Sequence, residues 1–217
     1  MAVSGRTIRA HQVDVFFAVL FFAFSSTITP GPNNIMMMSS GVNYGVKASL
    51  PHLFGICLGF PLMVLMIGLG FGVVLSNQPW LHLAIKVLGV LYLCWLAWKI
   101  ASSTPTSLEG SNSKPFSFLQ AAAFQWVNGK AWVMASGAVA AFTTMQGQFY
   151  QDVMQITLAF LLMSLPCVGS WLLFGALLRR WLNQPTTQRS FNICMALLLL
   201  GSVWPVLLEI VQQLKAD

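Results

Sequence analysis

Thr29-Pro30-Gly31-Pro32-Asn33-Asn34 interrupts a strongly apolar run that begins near Val13 and resumes at Ile35. The two prolines remove backbone donors, and Gly31 permits backbone angles that other residues avoid, so a helix entering this stretch must break or bend. In hydrocarbon, the freed backbone groups are costly unless protein or a water-filled cavity surrounds them. Two structures fit this stretch: a loop between two membrane helices, where such residues are common, or a discontinuous membrane helix whose open backbone forms part of a transport site.

Composition places the chain among integral membrane proteins. Of its 217 residues, 57% are hydrophobic and only 7% are charged, whereas soluble domains are about 25% charged. The apolar runs reach the roughly 20 residues of a helical span and lack the alternation of a barrel strand. The net charge of +6 comes from scattered residues without a basic stripe, which argues against nucleic acid as a partner and for a lipid bilayer.

The hydropathy pattern predicts an all-α membrane protein with six transmembrane helices. The expected spans are residues 13–29 (continuing past the break to 41), 45–75, 80–98, 116–142, 153–178 and 191–208. A polar connector, residues 102–115, separates a first repeat (1–101) from a second (116–217). Because each half holds an odd number of spans, two similar halves would form a 3+3 inverted repeat.

Basic residues near the span ends give an expected orientation. The first, third and fifth connectors share one side, which carries Lys47, Lys99, Lys114, Arg179, Arg180 and Arg189. The other side carries Arg6, Arg9 and Lys215. This balance predicts a multi-pass membrane protein with the first, third and fifth connectors in the cytoplasm and both termini outside, although Arg6 and Arg9 argue the other way. No A-x-A cleavage site follows those arginines, so we expect the first segment to be retained.

A second interruption lies at the corresponding place in the second half. Asn128-Gly129-Lys130 follows about a dozen residues of the fourth span, close to the bilayer middle at a rise of about 1.5 Å per residue. Paired interruptions of helices 1 and 4 are the sequence pattern of a transporter site. A lysine this deep needs protein or water around it and a partner. The alternative, a lysine that extends to the interface, fits Lys86 better than Lys130.

Other functional classes find little support. Cys57, Cys94, Cys167 and Cys194 stand alone in apolar runs, which predicts four free buried thiols and neither a metal site nor a disulfide framework. The GxSxG, HExxH and phosphate-loop motifs are absent, so an enzyme is not expected, nor is a cofactor. Glycines spaced four apart predict close helix packing and leave surface for a homodimer.

Taken in order, these residues resemble the LysE/RhtB family of amino-acid exporters over nearly the whole chain. Residues 29–33 match the first-half signature, and Asn128-Gly129-Lys130-Ala131 resembles the Asn-Pro-Lys-Ala signature with Gly129 in place of proline. The remaining matches are Gly41, Gly45, Gly55, Gly59, residues 86–93, Trp98, Lys99, Gly175 and Asn192. The resemblance implies a secondary transporter that exports small amino acids or derivatives from the cytoplasm, driven by the proton gradient.

The expected substrate site lies between the two interruptions. Half-helix N-termini and Lys130 would attract the carboxylate, while Asn33, Asn34 and Asn128 would accept from the ammonium group. The full set of candidate substrate-binding residues is Pro30, Gly31, Pro32, Asn33, Asn34, Gln125, Asn128, Gly129 and Lys130. Asp14 and Asp152 each open a span and are candidates for proton coupling, although acids at helix starts also simply complement the dipole. The alternative is efflux of a metal or other small inorganic ion.

Overall fold

The structure is a computed structural model that describes residues 5–71, 79–102, 114–143, 148–182 and 184–216, with side chains described in α1 from residue 15 onward. Within these ranges the chain is helical and contains no strand. The elements are α1 (Gly5–Ile28), α2 (Pro32–Met66), a π turn (Ile67–Phe71), α3 (Pro79–Ala101), α4 (Phe118–Phe124), a 3-10 turn (Gln125–Val127), α5 (Gly129–Phe142), α6 (Phe149–Leu178) and α7 (Pro185–Ala216).

Four stretches of the described chain are long and apolar enough to cross a membrane. They are Pro32–Gly70, Leu83–Ala101, Phe149–Leu178 and Pro185–Gln212, and Val15–Ile28 is a shorter apolar helix. The predicted spans fall on helices, but several ends shift: α4 begins two residues after position 116, and α7 begins six before position 191. Residues 72–75 of the predicted second span lie outside the described residues. The count of six spans therefore stays a prediction.

α2 folds back on itself at Gly45. This glycine has a φ of 78°, a backbone conformation that other residues rarely adopt. The hydroxyls of Ser40 and Ser49 are 2.7 Å apart, although nine residues of straight helix would separate them by about 13 Å. Residues 32–44 and 46–66 therefore form two antiparallel arms, which we call the first and second arm. Gly45, predicted to begin the second segment, is the hinge from which the second arm runs back.

α1 and the first arm follow α6 in one direction, so the chain passes through its first interruption without turning back. As the chain advances along α1 and the first arm, its contacts advance along α6: Phe24 with Cys167, Ile28 with Trp171, Met38 with Gly175, and Gly45 with Arg179. The interruption lies at residues 29–31, since α2 already begins at Pro32. Asn33 and Asn34, expected within the break, instead belong to the first turn of α2.

The interrupted segment of the second half runs the opposite way. α4 lies alongside the second arm, with Gly55 against Phe118 and Gly59 against Ala122. Residue numbers increase in the same direction along both helices, so α4 runs parallel to the second arm and antiparallel to the first. Its interruption falls at residues 125–128, a 3-10 turn followed by the extended residue Asn128, whose φ is −89° and ψ is 104°. Gly129 and Lys130, expected within this break, are the first two residues of α5.

Helix packing is tightest at small residues, as the glycine spacing predicted. A Cβ added at Gly41, Gly89 or Gly175 would meet backbone atoms of a facing helix or turn. Such close approach is how membrane helices gain packing energy when lipid is as apolar as their own side chains. The partners are Leu172 and Ala176 for Gly41, Val127 for Gly89, and Met38 for Gly175.

The predicted burial of all four cysteines is wrong for two of them. Cys57 and Cys167 are buried, whereas Cys94 and Cys194 are exposed. The exposed pair lies on α3 and α7, among outward-facing side chains such as Leu91 and Leu197. An apolar run cannot show which face of a membrane helix is buried, because lipid is as apolar as a protein core.

Candidate functional site

Every backbone carbonyl across the first break has a hydrogen-bond partner. α1 ends at Ile28, so these carbonyls cannot be satisfied within the helix. The donors are the Asn34 amide to Thr27 O (2.7 Å) and Thr29 O (2.8 Å), Trp171 Nε1 to Ile28 O (3.0 Å), Lys130 Nζ to Pro30 O (3.2 Å), and the Ile35 N–H to Gly31 O (2.9 Å). This pairing lets an open backbone persist at membrane depth.

Lys130 joins the second interrupted segment to the first break. Besides Pro30 O, its Nζ donates to Thr29 O at 2.9 Å and to Thr29 Oγ1 at 2.8 Å. The stem of the lysine passes against Gly31, where an added Cβ would lie 2.7 Å from Lys130 Cδ. The sequence predicted a partner for this lysine, and the partners in the described structure are neutral oxygens. The three donors of the ammonium group are therefore directed at neutral oxygens, and an anion that binds Lys130 must displace one of them.

The second break is held by its own caps. Asn128 Oδ1 accepts from the Lys130 backbone N–H at 3.2 Å, which caps the N-terminus of α5. Trp132 Nε1 donates to Trp126 O at 2.8 Å, which satisfies a carbonyl of the 3-10 turn. Gly129 is the first residue of α5, the position at which proline is most common in helices. Glycine at this first helical position therefore permits the break.

An amide pair links the two breaks directly. Asn33 Nδ2 donates to Gln125 Oε1 at 2.8 Å, and Gln125 Nε2 donates back to Asn33 Oδ1 at 3.1 Å. Gln125 is fully buried and also donates to Ala121 O at 2.9 Å. Both side-chain amides are thereby occupied. Asn33 and Gln125 join the two interrupted segments, and because Asn33 Oδ1 has a second acceptor position, its role as an acceptor for an ammonium group stays a prediction.

Between the breaks lies a small central cavity of about 30 Å³, room for roughly two water molecules. Its lining combines residues of both interrupted segments with the second arm and α6. The lining residues are Ser26, Thr27, Gly31, Asn33, Asn34, Ile56, Phe60, Asn128, Lys130, Ala131, Met134, Ser164 and Val168. Five predicted site residues thus line the cavity (Gly31, Asn33, Asn34, Asn128 and Lys130), and four do not (Pro30, Pro32, Gln125 and Gly129).

Three oxygen atoms in this lining lack a hydrogen-bond partner. They are Thr27 Oγ1, Asn34 Oδ1 and Ser164 Oγ, and their residues are exposed by 8%, 3% and 1%. An unpaired buried polar group costs about 1–3 kcal/mol, so these three oxygens make the cavity a place where water or a polar ligand is bound favourably. Thr27 and Ser164 were missed by the sequence reasoning, because single hydroxyls in apolar helices usually bond to their own backbone.

The cavity therefore carries one cation and three free oxygens. Lys130 can donate to a carboxylate, and α2 begins beside it without a side-chain cap, which adds the partial positive charge of a helix N-terminus. The three oxygens can accept from an ammonium group. Of the residues lining the cavity, none is histidine, cysteine or an acid, so no set of metal ligands is assembled there.

The proposed proton-coupling acids lie elsewhere. Asp152 is in the first turn of α6, half-buried, and does not line the central cavity. Asp14 lies within α1, but its side chain is outside the described part of the structure. The roles of Asp14 and Asp152 in proton coupling therefore stay predictions.

Comparison with known proteins identifies the family. Residues 13–204 match the model of the LysE type translocators. The chain is also similar to proteins named cysteine/O-acetylserine efflux protein from Escherichia coli (strain K12) and from Shigella flexneri serotype 5b (strain 8401). Each is 36% identical over 181 residues, which cover 82% of this chain and 90% of the relative. No solved structure matches the chain. With its two interrupted segments and the cavity between them, the chain belongs to the LysE type translocator family.

Proposed function

We propose that this protein exports small neutral amino acids or their derivatives from the bacterial cytoplasm by proton antiport, with cysteine and O-acetylserine as the first candidates. The observation that carries the proposal is the central cavity, where Lys130 faces three buried oxygens that lack partners. These groups match the two charged ends of an amino acid: the carboxylate can bind the Lys130 ammonium, and the ammonium group can donate to the three oxygens. The names of the relatives support the candidate substrates.

The charge of the cavity favours a neutral side chain on the substrate. None of the lining residues is acidic. A substrate with a cationic side chain would therefore bring in a second positive charge that has no counter-ion, at a high desolvation cost. Ile56, Phe60, Met134 and Val168 form the apolar part of the lining and suit a short, uncharged side chain. A cationic substrate such as lysine is correspondingly disfavoured.

Lys130 couples binding to movement in this proposal. Its ammonium holds the Thr29 and Pro30 oxygens at the end of α1. A substrate carboxylate competes for the same donors, and binding therefore loosens the contact between the two interrupted segments. Because the cavity has room for only about two waters, the site must expand around the substrate, and alternating access between the repeats 1–101 and 116–217 supplies that expansion. The opposite directions of the two interrupted segments support an inverted repeat.

The orientation and the coupling acids are part of the same proposal. One cavity is lined by Tyr44 near the first connector and by Lys99 and Lys114 at the ends of the third. Asn43, which also lines this cavity, accepts a hydrogen bond from Gln188 near the fifth connector. These contacts fit a common basic side for the three connectors. By the excess of positive charge this side is cytoplasmic, with both termini outside. Asp14 and Asp152 remain the proposed carriers of the exchanged proton.

Efflux from preloaded cells tests the function. Cells that contain or lack the protein are loaded with single labelled amino acids, and the rate of loss is measured before and after the proton gradient is collapsed. Faster loss of cysteine or O-acetylserine that stops with the gradient is the expected result. Equal loss from both strains for every amino acid would contradict the proposal and favour the efflux of an inorganic ion, for which a resistance screen is then the assay.

Ser164→Ala gives a prediction that separates binding from folding. Removing a hydroxyl that has no partner relieves a burial cost, so thermal stability is expected to stay equal or rise. Losing a hydrogen bond to the substrate's ammonium, worth about 1.5–3 kcal/mol, is expected to lower efflux about tenfold or more. Ser170→Ala on the same helix is the control, because the Ser170 hydroxyl already donates a hydrogen bond to Cys167 O at 2.7 Å and does not line the central cavity. Unchanged efflux in Ser164→Ala would remove Ser164 from the site.

A further inference from the structure

A second polar cavity lies toward the basic end of the molecule, around His52. It has a volume of about 40 Å³ and is lined by both arms of α2, the end of α3 and the residues that lead into α4. The polar members of its lining include Ser39, Tyr44, His52, Lys99 and Lys114. None of the described residues that line it is acidic. We call this cavity the vestibule.

His52 forms the buried wall of the vestibule and lacks a partner at both ring nitrogens. The residue is 1% exposed, and neither Nδ1 nor Nε2 makes a hydrogen bond to any residue that the structure describes. Its ring packs on Phe116 with centroids 5.2 Å apart, which fixes the plane of the imidazole. A histidine always carries at least one N–H, so a donor is held in this wall with nothing to receive it. A buried donor left unpaired indicates a ligand with an acceptor.

The positive charge at the mouth of the vestibule favours a ligand whose acceptor is negatively charged. Lys99 and Lys114 are both exposed and both line the cavity, so they produce a positive field where the cavity meets solvent. His52, Lys99 and Lys114 line the same cavity, so an anionic oxygen that enters past the lysines approaches the wall that holds the His52 donor. The volume equals roughly two to three water molecules, which suits a carboxylate group.

The vestibule and the central cavity follow one another along the same helical hairpin. Ile56, one turn after His52 on the second arm, lines the central cavity, and the two positions are about 6 Å apart along the helix axis. On the first arm, Asn33 and Asn34 line the central cavity and Ser39 and Ser40 line the vestibule. A ligand leaving the vestibule inward therefore meets the central cavity after about one helical turn.

We infer that the vestibule around His52 is a first binding site, where the carboxylate of a cytoplasmic substrate docks before the molecule moves to the central cavity. The inference rests on the proposed function and orientation. It adds a residue, His52, that selects for a carboxylate on the cytoplasmic side alone, whereas Lys130 serves the substrate after it has moved inward.

Transport in membrane vesicles of known orientation tests the vestibule. In everted vesicles the cytoplasmic face is outward, and uptake of labelled cysteine, kept reduced, reports export. His52→Phe removes both nitrogens and is expected to raise the cytoplasmic KM about tenfold with a maximal rate within about twofold of the unmodified protein. His52→Gln retains an N–H donor and is expected to recover most of the affinity. Transport from the other face, in right-side-out vesicles, is expected to lose the same factor in the ratio of maximal rate to KM, because a carrier cannot change the equilibrium of its substrate between the two faces, while the level of label at equilibrium stays unchanged in both variants.

Each failure has a distinct meaning. An unchanged cytoplasmic KM in His52→Phe would overturn the vestibule while leaving the proposed function intact. Loss of transport from both faces, together with loss of folded protein on size-exclusion chromatography, would assign His52 to folding and also overturn the vestibule. Absence of labelled-cysteine transport by the unmodified protein, with the efflux assay equally negative for every amino acid, would overturn the proposed function and this inference with it.

Discussion

Lys130→Met is expected to reduce efflux at least about tenfold per folded molecule, while the chain still inserts and folds. A hydrogen bond between charged groups contributes about 1.5–3 kcal/mol, and each 1.4 kcal/mol corresponds to a factor of ten. Methionine keeps an unbranched stem of similar length against Gly31, so the packing that glycine allows is retained. The measurement is efflux of labelled cysteine or O-acetylserine from preloaded cells, divided by the amount of folded protein in detergent extracts.

Lys47→Met is the matched control for Lys130→Met. Lys47 is exposed on the second arm, close to the turn at Gly45, so its loss removes the same charge without touching the central cavity. Efflux by this variant is expected to match that of the unmodified protein. If Lys130 only supplied hydrogen bonds to the Thr29 and Pro30 oxygens, Lys130→Met would lower the yield of folded protein and leave efflux per folded molecule unchanged. That result would refute its role in binding.

Sequence reasoning located the two interruptions to within a few residues because proline and glycine act on the backbone directly. Pro30 and Gly31 stop α1 whatever surrounds them, and the helix resumes at Pro32 because proline is favoured at a first helical position. The sequence also predicts that a second segment starts near Gly45, where the structure has the hinge that begins the second arm. A glycine in an apolar run is compatible with packing, a kink or a reversal, and only the contact between Ser40 and Ser49 distinguishes them.

The site was predictable only in part, because pairing between side chains is a property of the folded chain. Lys130 stood out from its charge, since a cation at membrane depth needs a reason. The sequence predicts that Asn33 and Gln125 bind substrate, but it does not show that their amides pair with each other across 92 residues of sequence. Thr27 and Ser164 carried no signal, because a hydroxyl becomes informative only when its usual bond to its own helix is missing.

Gly175→Ala is expected to destabilise the protein by about 3 kcal/mol, although alanine is the better helix former. A Cβ at Gly175 would overlap backbone atoms of Met38, including its carbonyl oxygen, where the first arm crosses α6. Backbone atoms cannot rotate away as a side chain can, so the two helices must separate, and the cost lies at the upper end of overpacking changes. At roughly 2–4 °C per kcal/mol for a chain of this size, the thermal midpoint in detergent is expected to fall by about 10 °C.

Gly169→Ala on the same helix is the control with the opposite sign. No atom lies within 4 Å of the position its Cβ would take, so the substitution adds helix propensity without a clash. A gain of up to about 1 kcal/mol is expected, because glycine is the poorer helix former by that amount. Because the first arm carries Asn33 and Asn34 to the central cavity, separation at Gly175 should also lower efflux, whereas Gly169→Ala should leave it unchanged. Equal thermal midpoints for the two variants would show that the first arm does not pack on α6 as described.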